Sequence, residues 1–206
     1  MSDMTYEFET NSNKLEELEW DNVWWEQTNA HGISRVLYIG DSISCGTRRI
    51  ATAKADNEIL FDGFGTSKAL DNPYFKESLS LFARQQRERS AVIFNNGLHG
   101  WHLDDEKEYK EEYEKMIEFL LKEFKGTHIF LLLTTHLKDE KRDKRVVKRN
   151  EAVCEIAEKY SLPVIDIYTL TKENENLLSA DGVHFVNEGY HLLAETIVKR
   201  VKEIIK

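Results

Sequence analysis

The chain has 206 residues, 41% of them hydrophobic and 32% charged, and 28 Lys and Arg stand against 37 Asp and Glu for a formal charge of −9. That length fits one compact domain, residues 1–206, with a core large enough to need no disulfide or metal staple. The acidic balance argues against a nucleic-acid partner, the 2 cysteines are too few for a disulfide framework, and no run approaches the ~18 apolar residues of a bilayer span.

Met1 opens a polar, acidic stretch without the apolar core of a secretory signal, which points to the cytoplasm. Residues 1–33 are less regular, and Trp20, Trp24 and Trp25 predict that this segment packs on the domain; carbohydrate stacking is the alternative use of such rings. Arg35 to Ile39 reads as a first strand ending at Gly40, Glu58 to Phe61 as a second, and Ala91 to Phe94 as a third. The apolar run His128 to Leu133 has the look of a central parallel strand covered on both faces, and Leu162 to Ile167 gives a fifth, opened by Pro163.

Between the strands lie amphipathic stretches. Tyr109, Tyr113, Met116, Ile117, Leu120 and Phe124 share one helical face, as do Val146, Val153, Ile156, Ala157 and Tyr160. Asn187 is the predicted N-cap of a last helix carrying Leu193, Ile197, Val201 and Ile204. Lys138 to Arg149 contains seven basic residues interleaved with Asp139, Glu140 and Asp143, the pattern of a solvated helix face rather than of an anion site. Alternating strands and helices predict an α/β fold, a parallel sheet of five strands with helices on both faces and right-handed crossovers. In such sheets ligands sit beyond the carboxyl ends of the strands, where strand order reverses.

Two strand-end segments carry chemistry. The first strand runs into Gly40-Asp41-Ser42-Ile43-Ser44, which stands a serine hydroxyl at a helix start with backbone N–H groups beside it. Far downstream, Ser179-Ala180-Asp181-Gly182-Val183-His184-Phe185 sets an Asp three residues before a His. Asp181 is placed to fix one ring nitrogen of His184, leaving the other to take a proton from Ser42. A serine at a helix start is most often only a cap, and Asp-x-x-His most often a surface hydrogen bond. The two together, on loops that a parallel sheet returns to one end, are far more specific.

Gly40-Asp41-Ser42, with Asp181-Gly182-Val183-His184 followed by Asn187, Gly189-Tyr190 and Leu193-Ala194, resembles the first and last motif blocks of the SGNH (GDSL-type) hydrolases. The Asn150 helix and Val164-Ile165-Asp166 fit the same superfamily, and the likeness spans roughly residues 34 to 205. The resemblance implies a three-layer, flavodoxin-like α/β/α sandwich, metal-free ester hydrolysis without a cofactor, and a triad of Ser42, Asp181 and His184. It also implies an oxyanion hole built on the Ser42 N–H and a glycine after the second strand: Gly65, with Gly63 and Ser67 as alternatives. A further donor is expected after the third strand. There the family's Gly-x-Asn-Asp is replaced by Asn95-Asn96-Gly97-Leu98-His99-Gly100, so His99 or Asn96 takes that place. Asp41 and Trp101 are the candidate substrate contacts, Trp101 for stacking on a sugar ring. The α/β-hydrolase elbow fits less well, since its second glycine is Ser44 here.

Other readings of the same residues are weaker. His99 and His102 with Asp104 and Asp105 have the composition of a loop metal site, but no Cys joins them and the loop must turn tightly to converge them. Cys45 is a small filler before it is a reactive thiol. Gly40 to Gly46 lacks the glycine spacing of a dinucleotide loop. The sequence therefore predicts a serine esterase acting on a small-molecule ester with a short acyl group, such as an acetylated sugar. An acyltransferase using the same site and a non-catalytic ligand-binding domain are the alternatives.

Overall fold

The computed structural model describes residues 14–16, 18–85, 89–103 and 106–205. Its strands are β1 (Asp21–Trp24), β2 (Ser34–Gly40), β3 (Ile59–Thr66), β4 (Ala91–Phe94), β5 (His128–Leu132) and β6 (Val164–Ile165). Its helices are α1 (Ser42–Lys54), α2 (Phe75–Gln85), α3 (Glu106–Glu123), α4 (Glu140–Tyr160), α5 (Tyr168–Glu173) and α6 (Asn187–Ile204), with a 3-10 turn at Glu175–Leu177. Among the described residues no helix is long and apolar enough to cross a membrane.

The strands lie in the order β1-β3-β2-β4-β5-β6. β3, β2, β4, β5 and β6 are mutually parallel, which is the predicted five-stranded sheet. β1 adds a sixth strand, antiparallel, on the β3 edge. Its sequence Asp-Asn-Val-Trp has no alternation that would mark it, and β1 exists because β3 offers it an edge. β3 runs on to Thr66, past the predicted end at Phe61, because it pairs with β2 through Gly65 and with β1 through Thr66. The fifth predicted strand shortens to Val164–Ile165, because Tyr168 already begins α5.

Alternation along the strands sorts the core into two layers. Val36, Tyr38, Phe61, Ile93 and Phe130 face one side and pack with Ile43 and Ala51 of α1 and Leu193, Ile197 and Val201 of α6. Leu37, Ile39, Val92, Phe94 and Leu131 face the other side, under Leu79 and Phe82 of α2, Tyr113 and Leu120 of α3 and Val153 and Ile156 of α4. Helix α6 starts at Asn187 with Val186 as its cap residue, so Asn187 is the first helical residue and not the N-cap. The three N-terminal tryptophans each meet a different neighbour. Trp25 stacks on Phe82 with centroids 4.3 Å apart, Trp24 lies under the guanidinium of Arg49, and Trp20 meets the His99 ring edge-on.

Strand order reverses at β2, whose carboxyl end leads into Asp41 and Ser42. This is the switch point at which a ligand is expected.

Candidate active site

The turn from β2 into α1 is held by Asp41. Its Oδ1 accepts from the Ile43 N–H at 2.9 Å and its carbonyl from the Ser44 hydroxyl at 2.6 Å and the Cys45 N–H at 3.1 Å. Asp41 is 3% exposed. It is the N-cap of α1 and faces inward, where it shapes the serine turn. Ser42 follows as the first helical residue, half-buried, with an N–H that has no intrahelical acceptor at that position.

The second segment is presented by its own alternation. Val183 and Phe185 are buried in the α1/α6 core, and His184 between them turns the opposite way. Gly182 makes the bend possible: its φ is +71°, and a Cβ there would fall 2.8 Å from the Lys138 Cβ. The Lys138 N–H donates to the Gly182 carbonyl at 3.0 Å, tying this loop to the one after β5. His184 Nε2 lies 2.8 Å from Ser42 Oγ, and its Nδ1 lies 2.7 Å from Asp181 Oδ2.

Asp181 Oδ1 accepts from the N–H groups of Val183 and His184, each at 2.9 Å, and from the Ser179 hydroxyl at 2.8 Å. Partial burial pulls its carboxyl up, but hydrogen bonds from Val183, His184 and Ser179 outweigh this and hold it well below the usual carboxylate range. Asp181 is therefore an anion that fixes the imidazole with Nδ1–H toward itself and the Nε2 lone pair toward the hydroxyl. The arrangement can carry a proton from Ser42 to His184 as the serine oxygen attacks an electrophile.

The expected oxyanion residues end in three different situations. Gly65 lies inside β3, opposite Asn22 of β1. The Ser67 N–H donates to the Trp20 carbonyl at 3.1 Å, and the alternation of an antiparallel ladder then directs the Gly65 N–H to β1 as well. The unforeseen edge strand takes the donor that the sequence assigned to the cleft, and Gly63 and Ser67 are in the same ladder. Asn96 is buried, with Nδ2 donating to the Lys68 carbonyl at 2.8 Å, which leaves one amide hydrogen uncommitted. His99 Nδ1 meets the Glu16 carboxylate at 3.0 and 3.1 Å. No sequence signal linked Glu16 to this site, because Glu16 stands in no motif of the acidic N-terminal stretch.

Trp101 is not open to a sugar. It is 6% exposed, its Nε1 donates to the Leu98 carbonyl, and the guanidiniums of Arg145 and Arg149 lie 4.7 and 4.5 Å from its centroid. His102 turns to Asp71 at 3.0 Å while His99 turns to Glu16, so the two imidazoles do not converge on one ion. Asp104 and Asp105 lie outside the described residues. Burial pushes the Cys45 thiol up, and its Sγ sits where a Cβ on Gly65 would be, as a filler between α1 and β3. Two buried acceptors near the serine turn, Asp41 Oδ2 and Thr135 Oγ1, line a cavity of about 10 Å³ and have no partner among the described residues.

No family model matches the sequence, and no curated protein sequence does. Solved structures do match. An acetyl xylan esterase, AlAXEase, is 17% identical with a TM-score of 0.64, over 81% of this chain and 99% of that one. A lipase/acylhydrolase from Enterococcus faecalis is 18% identical with a TM-score of 0.62, over 84% and 98%. The catalytic domain of peptidoglycan O-acetyltransferase A from Streptococcus pneumoniae is 19% identical with a TM-score of 0.65, over 83% and 94%. At these identities the likeness is one of fold: the chain has the α/β architecture of the GDSL and SGNH hydrolases.

Proposed function

We propose that the chain is a serine esterase in which Ser42 is the nucleophile, His184 the general base and acid, and Asp181 the residue that orients the imidazole. The observation that carries this reading is the unbroken relay Ser42 Oγ to His184 Nε2, 2.8 Å, and His184 Nδ1 to Asp181 Oδ2, 2.7 Å, at the switch point of the sheet. A ligand-binding domain needs no such relay.

Ser42 Oγ attacks the ester carbonyl as its proton passes to His184. The tetrahedral oxyanion rests on the Ser42 N–H, with the second amide hydrogen of Asn96 as its side-chain partner. His184 then protonates the leaving alkoxide, giving the free alcohol and an acyl-Ser42. Water, deprotonated by the same imidazole, releases the acid and restores the serine. The substrate is a small ester with a short acyl group. The names of two similar structures, an acetyl xylan esterase and an O-acetyltransferase, support acetate. The second of these also favours one alternative, transfer of the acyl group to an alcohol in place of water, since the acyl-enzyme is common to both.

Hydrolysis of p-nitrophenyl esters of increasing chain length, by wild type and Ser42→Ala side by side, tests the reading. The expected result is a maximum at acetate and a loss of about 10⁴-fold or more in the variant. Ester hydrolysis that survives Ser42→Ala in the folded protein overturns the assignment, and acyl transfer in preference to release of acid selects the transferase.

A further inference from the structure

The described residues preceding β1, 14–16 and 18–20, reach the loops beyond the carboxyl ends of β3 and β4. The Trp20 carbonyl accepts from the Ser67 N–H and its own N–H donates to Ser67 Oγ at 2.9 Å, while Asp21 pairs with Lys68 at 2.8 Å. Glu16 accepts through Oε1 from both His99 Nδ1 at 3.0 Å and the Gly100 N–H at 3.1 Å. The ring is clamped further by Trp20, edge-on at 6.0 Å, and by Arg149, which donates to the His99 carbonyl at 2.9 Å. His99 is 7% exposed, and among the described residues its Nε2 has no hydrogen-bond partner.

An ionised carboxylate only accepts, so a hydrogen bond from Nδ1 to Glu16 places a ring proton on Nδ1. A singly protonated His99 then presents a lone pair at Nε2 and has no proton there for an oxyanion. In that state His99 is an acceptor at Nε2 and not the expected oxyanion donor. A largely desolvated acceptor calls for an O–H or N–H in its ligand. The His99 loop leaves β4, the strand beside β2, at the end of the sheet where Ser42 stands.

We propose that Glu16 is a positioning residue that fixes His99 with its proton on Nδ1, and that His99 Nε2 accepts a hydrogen bond from a hydroxyl on the alcohol portion of the ester. The substrate class is then an ester of a polyhydroxylated alcohol, such as a sugar or polyol, and selection for it lies in this pair. The substrate half rests on the esterase reading; the tautomer half does not.

Long-range ¹H–¹⁵N spectra of the imidazoles in the full chain, with the His99 signals assigned from His99→Gln, read the tautomer directly. The expected pattern is Nδ1 protonated and Nε2 bare, moving to the Nε2–H form in Glu16→Gln. A wild-type His99 that carries its proton on Nε2, or on both nitrogens, overturns the proposal. Kinetically, the kcat/KM preference for glycerol monoacetate over ethyl acetate is expected to fall about ten- to a hundredfold in His99→Ala and Glu16→Gln. His99→Gln, whose amide oxygen replaces the Nε2 acceptor, is expected to recover part of it. An unchanged preference in both first variants, with circular dichroism confirming the fold, overturns the role in selection. Absence of Ser42-dependent hydrolysis of either ester counts against the esterase reading instead, and the spectra still decide the tautomer.

Discussion

Of the carboxylate–imidazole pairs on the loops at this end of the sheet, two were built in opposite ways. Asp181 and His184 are three residues apart on one bend, 2.7 Å from carboxylate to Nδ1, with side chains 41% and 22% exposed. Glu16 and His99 are 83 residues apart, 3.0 Å from carboxylate to Nδ1, with side chains 20% and 8% exposed. The contact chemistry is the same: a carboxylate on Nδ1 frees Nε2. What differs is the hydrogen-bond partner of Nε2, Ser42 Oγ in the first pair and none among the described residues in the second. In the proposed mechanism the pair formed within one turn activates a nucleophile belonging to the protein, and the pair assembled across the fold receives a ligand hydroxyl.

The sharpest way to separate the pairs is to neutralise each carboxylate in turn. Asp181→Asn keeps the shape but no longer dictates the tautomer, and the expected loss of kcat is on the order of 10⁴-fold on every ester, measured in steady state. Glu16→Gln is expected to change preference among alcohols far more than it changes any single turnover. Equal and uniform losses from both variants erase the distinction.

The second break is mechanical. The His99 loop is gripped by Arg149, which donates to the carbonyls of Gly97, His99 and Gly100 at 2.8 to 3.0 Å while its guanidinium lies 4.5 Å from the centroids of Trp101 and Tyr109. The side chain is 3% exposed, so Arg149→Lys leaves buried carbonyls without a fork to satisfy them. The expected cost is about 3 kcal/mol, a fall of roughly 6–12 °C in Tm by thermal denaturation. The His184 loop depends instead on Val183 and Phe185 in the core, and Arg149→Lys is expected to leave the Ser42–His184 hydrogen bond intact.

The smallest effect concerns acid. A carboxyl held below its unfolded value of about 3.9 contributes stability that is present above that pH and is lost as pH falls through the folded value. Asp181 is depressed in this way, so the urea midpoint of wild type is expected to exceed that of Asp181→Asn at pH 7. The gap is expected to narrow on titration below about pH 4. A gap that widens in acid reverses the sign assigned to Asp181.

The sequence by itself determined the alternating α/β order and the two-sided strands, and it singled out Ser42, Asp181 and His184, which the fold brings together. Each rests on information spaced at two to four residues, and Gly40-Asp41-Ser42 and Asp181-Gly182-Val183-His184 are each continuous on the chain. Local order was misread only at element ends, where Asn187 stands one place inside its helix and β6 stops at Ile165. Tertiary structure alone decided the rest. β1 has no pattern of its own, and its pairing directed the Gly65 N–H away from the cleft. Trp101 reads as an aromatic available to a sugar until Arg145 and Arg149 of α4 close over it. Glu16 carries no signal in an acidic, irregular segment, since its meaning comes from the single ring nitrogen it meets. Unlike Ser42 and His184, which stand in motifs at strand ends, Glu16 meets His99 only through the way the intervening chain folds, and periodicity along the sequence does not encode that.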